Sequence, residues 1–391
     1  MVKICVVTAT RAEFGLLQPV INKLIGCSEF DVKIVATGMH LSPEFGLTYK
    51  EIEDAGILID RKIEMQLSSD SMVAMSKTMG LTMISFADYF EESKPDFLVL
   101  IADRYETMAI AATAMCMQIP IIHLYGGETT EGAIDESIRH AISKMSYLHF
   151  ATTEQYRNRI IQMGEAPERV FNVGGLGVEN IKNCKLYSKK ELEQELDIKL
   201  KSKYAVVTFH PVTLEKCSAE IQAMELIKAC ENYPDIQFLF TKSNSDASGR
   251  IINEIFARFV KNNSNMRLYD SLGTRKYLSA IKYAAFVLGN SSSGIMEVPS
   301  FGIPTINIGD RQRGRLRAGS IIDCSPDKIS IVKAIDKALE EEFRNYCKNC
   351  KNPYEGTDSS ESIVKIIKKF VKGEKIDLKK KFYNIEFNEK I

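Results

Sequence analysis

The chain alternates short, almost wholly apolar runs with longer stretches of helical periodicity, and it does so in two separate series. In the first, the runs fall at 2–8, 31–37, 97–101, 119–124 and 147–151, between helical patterns at 13–25, 47–55, 71–93, 105–117, 135–145 and 154–163. Strands apolar on both faces and separated by helices belong in a parallel sheet, because each crossover lays a helix over one face. The second series places strands at 204–209, 236–241, 266–269, 285–289 and 304–307, with helices at about 218–231, 246–262, 274–283, 293–300 and 327–342. Between them, 174–203 holds Gly174, Gly175, Gly177 and a charged helical run from Ser188 to Leu196. The pattern predicts an α/β protein of two doubly wound domains facing a cleft. The expected division is 1–173, a linker over 174–203, a second domain over 204–360, and a helix and tail over 361–391 packed back on the body.

A length of 391 residues suits two domains at roughly 150 residues each. Lys+Arg and Asp+Glu balance at 51 each, which argues against a nucleic-acid binder, since phosphate affinity needs a cationic excess. Nine cysteines, an odd number scattered through apolar stretches, suit reduced thiols in a cytoplasm better than a disulfide framework. Met1 to Thr8 reads directly as a strand, without the pattern of a signal peptide. The uncharged stretch from Thr107 to Gly127 is long enough to span a bilayer, but Gln118, Pro120 and His123 break it into a helix, a turn and a strand. No membrane association is expected.

The usual cofactor signatures do not occur. No G-x-G-x-x-G follows the first strand, and there is no Walker A sequence and no Asp-x-Asp pair. Cys347 and Cys350 form a single C-x-x-C, half of what structural zinc requires, and the five histidines lack ligand spacing. The expectation is an enzyme with no metal and no cofactor.

Four groups of residues could carry chemistry. The turn Thr8 to Gly15 opens the first helix and holds Arg11, a possible anion site if its backbone N–H groups face the cleft, or equally a plain connection. Asp103 and Arg104 follow the strand FLVLI, where open α/β sheets bind ligands; a structural ion pair between them is the alternative. His123 to His140 is the densest group. Two ring side chains, His123 and Tyr125, and four carboxylates, Glu128, Glu131, Asp135 and Glu136, surround a Gly-Gly loop at a strand end. Asp135 and Glu136 also suit a helix N-terminus, and Asp135/Arg139 and Glu136/His140 are spaced to support that helix. The fourth group comprises His210, then Lys242, Asn244 and Asp246, then Gly289-Asn290-Ser291-Ser292-Ser293-Gly294 with Glu297, and finally Asp310 to Arg315. Three serines opening a helix after a strand are more than a cap requires and read as a diphosphate cradle without metal.

Taken together, G-N-S-S-x-G-x-x-E, H-P-V, G-x-R-Q-x-G-R, D-R, and H-x-x-G-G-E followed by I-D-E-S-I-R-H-A resemble the hydrolysing UDP-N-acetylglucosamine 2-epimerases, in order, from about residue 3 to 345. The resemblance implies a GT-B fold, with a UDP-sugar between two Rossmann-like domains. It implies elimination of UDP to a 2-acetamidoglucal and hydration to N-acetylmannosamine, feeding nonulosonic (sialic-type) acid synthesis. Carried over motif by motif, Asp103, Glu128, Asp135, Glu136 and His210 are catalytic candidates. Arg11, His40, Arg104, His123, Tyr125, Asn244, Asn290, Ser291, Ser292, Glu297 and Arg311 are substrate-binding candidates. The UDP-sugar is the expected partner, and a cytoplasmic homo-oligomer, dimer or tetramer, the expected form.

Two positions depart from the family pattern: Tyr125 stands where several relatives carry Glu, and Ala102 where they carry Gly. A phenol is no base at neutral pH, so the second acid/base role passes to Glu128, Glu131 or His123, or the sugar pocket differs. A branch of the family acting on UDP-N,N'-diacetylbacillosamine, in the legionaminic acid pathway, is the alternative. A GT-B glycosyltransferase, a non-catalytic UDP-sugar-binding protein and a non-hydrolysing epimerase are the rival readings.

Overall fold

The computed structural model describes residues 1–391 apart from 66, 68, 70, 213, 215–218, 244–248, 357, 373–375 and 387–391. Two wholly parallel sheets carry the molecule. The first contains β1 (Val2–Thr8), β2 (Phe30–Thr37), β3 (Arg61–Ile63), β4 (Phe97–Ile101), β5 (Ile121–Leu124), β6 (Leu148–Ala151) and β7 (Val170–Asn172), in the order β3-β2-β1-β4-β5-β6-β7. The second contains β8 (Tyr204–Thr208), β9 (Gln237–Thr241), β10 (Met266–Tyr269), β11 (Phe286–Gly289), β12 (Thr305–Ile308) and β13 (Ile321–Cys324), in the order β10-β9-β8-β11-β12-β13.

Alternation along each strand supplies a core to both faces. In the first sheet Ile4, Val6, Ile34 and Val99 pack on one side with Leu17 and Ile21 of the helix Arg11–Ile25. Cys5, Val7, Val35 and Leu98 pack on the other with Phe86 and Phe90 of the helix Met72–Ser93. Burying one such Leu, Ile or Phe contributes about 1.5–3 kcal/mol, which explains strands apolar at every position. The second sheet is built likewise, with Val207, Phe238 and Leu288 on one face and Val206, Leu239 and Val287 on the other.

The chain ends by returning to the first sheet. Ile363 and Ile367 of the helix Ser359–Lys372 enter that sheet's core, and Glu179 accepts from the Ser360 backbone N–H at 2.7 Å. Beyond the helix, Lys380 reaches Glu165 at 2.9 Å and the Ser146 carbonyl at 2.7 Å.

The edge strands β3, β7 and β13 and the helices Leu176–Asn183 and Glu341–Cys347 are among the elements that periodicity does not reveal. Three or four residues hold too little alternation, and β3 is exposed at Arg61 and Lys62. Each sheet reverses its strand order at its centre, between β1 and β4 and between β8 and β11. Ligands of open α/β sheets bind at such switch points, beyond the carboxyl ends of the strands.

Candidate active site

The four strand ends at the two switch points converge on one cavity of about 280 Å³ between the sheets. β1 leads to Arg11, β4 to Ala102 and Asp103, β8 to His210, and β11 to Ser291, Ser292 and Ser293. Tyr125, Glu128, Lys242, Glu297, Arg311 and Arg315 add further charged and polar groups to the wall.

In the turn after β1, part of the expected nest of N–H groups is capped from within. Thr10 and Glu13 form a capping box, and Glu13 Oε2 accepts from the N–H groups of Ala9 and Thr10 at 2.8 and 3.2 Å. Arg11 and Ala12, at the start of the helix, are what this turn brings to the cavity wall. Glu13 itself is buried, and burial together with the neighbouring Glu106 carboxylate pushes it up to about 7.

Asp103 does not pair with Arg104. Its carboxylate holds the fully buried guanidinium of Arg139, on the helix Asp135–Met145. Arg139 also donates to Thr130 Oγ1 at 2.9 Å, to the Glu128 carbonyl at 3.0 Å and to Glu136 at 3.1 Å. Burial raises the Asp103 pKa, but Arg139, Arg315 and Arg311 outweigh it and hold the group below the usual carboxylate range. Asp103 is thus an anion whose Oδ2 faces Arg139, and the residue lines the cavity. Arg104 turns onto Glu106 at 2.7 Å, away from the cavity wall.

Ala102 and Tyr125 both have left-handed backbones, with φ of 65° and 68°. That conformation costs a non-glycine residue about 1–2 kcal/mol. At the second, the left-handed turn brings the Tyr125 ring to the cavity, where its hydroxyl accepts from the Gly177 N–H at 3.3 Å. Burial raises its pKa, so it stays a neutral phenol. The next loop needs Gly127, at φ 75°, because a side chain there would strike the Tyr156 carbonyl. Glu128 then pairs with Arg315 across the two halves of the molecule at 2.6 Å, and Thr152 donates to it at 2.8 Å.

On the second sheet, Asn290 clamps the β8 end: its amide accepts from the His210 N–H at 2.7 Å and donates to the His210 carbonyl at 2.8 Å. His210 Nδ1 lies 3.1 Å from Ser243 Oγ, so its orientation is set from behind. Ser291 caps the helix Ser292–Met296 by accepting from the Ser293 N–H, and Ser293 donates to Glu297. Burial raises the Glu297 pKa. Arg311 reaches the Asn290 carbonyl at 3.2 Å, along the cavity rim.

The structure sets other candidates apart from the cavity wall. His40 is fully buried between Thr8 and Thr48, at 3.0 and 2.9 Å, and burial lowers it to about 4. His123 donates from Nε2 to the Ala102 carbonyl at 2.8 Å, and burial lowers it to about 3, so it is neutral and faces away. Both rings brace strand ends from behind. Glu136 is spent on the Thr130 N–H at 2.5 Å, on Arg139 and on His140 at 3.1 Å, and neither it nor Asp135 lines the cavity. Asn244 and Asp246 lie outside the described residues. Tyr277, Met296, Tyr354 and the 176–180 stretch received no site role from sequence, and Arg139 and Arg315 fall inside groups named there without being chosen as site residues. Among the described residues, no three His, Cys, Asp or Glu side chains are placed to hold a metal ion, and no helix is long and apolar enough to cross a membrane.

A family pattern described as UDP-N-acetylglucosamine 2-epimerase matches residues 22–368. The chain is 45% identical over 343 residues to a GDP/UDP-N,N'-diacetylbacillosamine 2-epimerase (hydrolyzing) of Campylobacter jejuni, covering 88% of each. It is 39% identical over 386 residues to the polysialic acid biosynthesis protein P7 of Escherichia coli, covering 98% of each. Its fold is similar to a crystal structure of UDP-GlcNAc 2-epimerase from Neisseria meningitidis bound to UDP-GlcNAc, with a TM-score of 0.79 at 20% identity over 94% of this chain and 100% of that one. The architecture is accordingly GT-B, two Rossmann-like units facing a central cleft. With the pattern spanning most of the chain and both relatives above 30% identity, the chain belongs to the UDP-N-acetylglucosamine 2-epimerase family.

Proposed function

We propose that the protein is a hydrolysing 2-epimerase that converts UDP-GlcNAc and water to UDP and N-acetylmannosamine. The observation that carries this reading is an ionised carboxylate, Asp103, on the same cavity wall as Arg11, His210, Ser291 and Arg311. Those donors suit a diphosphate leaving group, and Glu297 suits the ribose hydroxyls. In the first step the C2–H bond breaks to a base, the C1–O bond breaks to UDP, and a 2-acetamidoglucal remains. In the second, water adds across the double bond, its oxygen to C1 and a proton to the opposite face of C2. Asp103 is the proposed base and Glu128 the second proton-carrying group, each held by an arginine. The unit over 1–173 then supplies the proton chemistry and that over 204–360 the nucleotide contacts.

A second reading, the same reaction on UDP-N,N'-diacetylbacillosamine, is supported by the Campylobacter relative and by Ala102, Tyr125, Met296 and Val178 on the wall. Such a lining suits a 6-deoxy sugar with a second acetamido group. The Escherichia relative's name supports a place in sialic-type acid synthesis. The proposed setting is a cytoplasmic homo-oligomer, in keeping with cysteines that are unpaired at all eight described positions.

Incubating the enzyme with each UDP-sugar and no acceptor tests the reaction. UDP and free inverted sugar are expected, with one solvent deuterium at C2 when the solvent is deuterated water. UDP-linked product, retained C2 configuration, or turnover only with an acceptor would each defeat the assignment.

A further inference from the structure

Behind the cleft lie two buried carboxylates, Glu13 and Glu106, that do not line the cavity. Each has one oxygen engaged and one left over. Glu13, in the first turn of the helix Arg11–Ile25, spends Oε2 on the Ala9 and Thr10 N–H groups. Glu106, in the first turn of the helix Tyr105–Cys116, spends Oε1 on Arg104 at 2.7 Å. Among the described residues no donor reaches Glu13 Oε1 or Glu106 Oε2, although both atoms are shut off from solvent. A buried carboxylate oxygen without a donor is costly.

The first sheet brings these side chains together. β1 and β4 pair in parallel with Val6 beside Val99. The same register carried past the strand ends sets Ala9 beside Ala102 and Glu13 beside Glu106, at the spacing of neighbouring strands, about 4.8 Å. The first helix then packs on one face of the sheet through Phe14 and Leu17, and the second on the other through Ile110 and Ala111. The carboxylates thus approach over the strand ends from opposite sides, and Glu106 acts on Glu13 as a nearby like charge. Two carboxylates at close range do not both ionise. One proton held between them removes the repulsion and satisfies both open oxygens.

We propose that Glu13 and Glu106 share a proton between Glu13 Oε1 and Glu106 Oε2, and that this O–H···O bridge sets the spacing of the Arg11 and Asp103 turns. Arg11 lies two residues before Glu13 and Asp103 three before Glu106, and both line the cavity. The pair are positioning residues that act through those two. Around them, Arg104 offsets part of the repulsion, and His40, packed against Phe14, is kept neutral by burial. Asp103 is turned to Arg139, and Arg11 feels the Glu51 carboxylate. With Glu13 pushed up to about 7, the bridge is intact below that pH and lost as pH rises through it, when two anions press the turns apart.

Infrared spectroscopy of the full chain, with no ligand added, reads the proton directly. Below about pH 7 the parent should show a protonated-carboxyl band that Glu13→Gln and Glu106→Gln each abolish, because an amide N–H then bridges to the remaining carboxylate. The functional arm rests on the reading of the cleft as a UDP-sugar site. UDP affinity of the parent, by calorimetry, should fall by about tenfold between about pH 7 and 9, as for one lost hydrogen bond to a charged group. Both glutamine variants should hold a flat profile over that range, which a merely structural role would not produce. The absence of the band in the parent, a band that survives Glu106→Gln, or a falling affinity that both variants keep overturns the proposal. A chain that binds no UDP at any pH defeats the reading of the cleft instead, and the infrared result still decides the bridge.

Discussion

Asp103 and Arg139 form an ion pair across 36 positions of sequence, joining the end of β4 to the helix Asp135–Met145 at the floor of the cleft. The pair holds the carboxylate ionised and aims it, while the same guanidinium ties down the Glu128 carbonyl and the Thr130 hydroxyl beyond the Gly-Gly loop. Removing the carboxylate's charge should therefore affect chemistry before nucleotide binding. Asp103→Asn is expected to lower turnover by about 10²–10⁴-fold, with UDP affinity by calorimetry retained. Near-normal turnover would return Asp103 to a purely structural role.

Loss of the partner has a pH signature. The Asp103 pKa is depressed in the folded enzyme, so its ionised form contributes stability above the unfolded carboxylate range, and that stability is lost as pH falls through the folded value. Arg139→Met removes the chief counter-charge. The acid limb of the activity profile should move to higher pH, and denaturant unfolding should show a loss of about 3–5 kcal/mol, as for a broken buried pair. An unmoved acid limb would dissociate Asp103 from catalysis.

The serine-rich turn after β11 and Arg311 should act through the nucleotide. Ser291→Ala and Arg311→Ala are each expected to weaken UDP binding by about 1.5–3 kcal/mol, the range for hydrogen bonds to charged groups. Calorimetric titration with UDP reads this directly, and unchanged affinity in both variants would remove the cradle from this site.

Tyr125 lines the cavity as a neutral phenol hydrogen-bonded to Gly177, and its raised pKa keeps it protonated at neutral pH. Tyr125→Phe should retain turnover within a few-fold. A loss on the scale of Asp103→Asn would instead give the hydroxyl a place in the proton transfer.

Glu13 offers a separate pH effect. Its folded pKa is raised from 4.5 to about 7 by burial and by Glu106. The stability tied to its protonated form is fully present below about 4.5 and lost as pH rises through about 7. Glu13→Gln preserves an acceptor for the Ala9 and Thr10 N–H groups while removing the titration. Melting temperature should then fall less between pH 6 and 8 in the variant than in the parent enzyme, and identical profiles would remove Glu13 as the source.

The doubled α/β pattern, the positions of the central strands and the residues at their carboxyl ends are all properties of sequence. Periodicity records which positions face a core, and strand ends follow directly from it, so Arg11, Asp103, His210 and Ser291 were legible as cleft residues. Partners distant in the chain were not. Arg139 reads from spacing as the i,i+4 partner of Asp135, yet its guanidinium reaches Asp103 because the helix lies beside β4. His40 and His123 look like ligand groups in sequence, but each ring points behind its strand end, where burial keeps it neutral. Side-chain direction at a strand end depends on one backbone angle, as the left-handed turns at Ala102 and Tyr125 show. Ion-pair choice depends on distances that only the packed sheets and helices set.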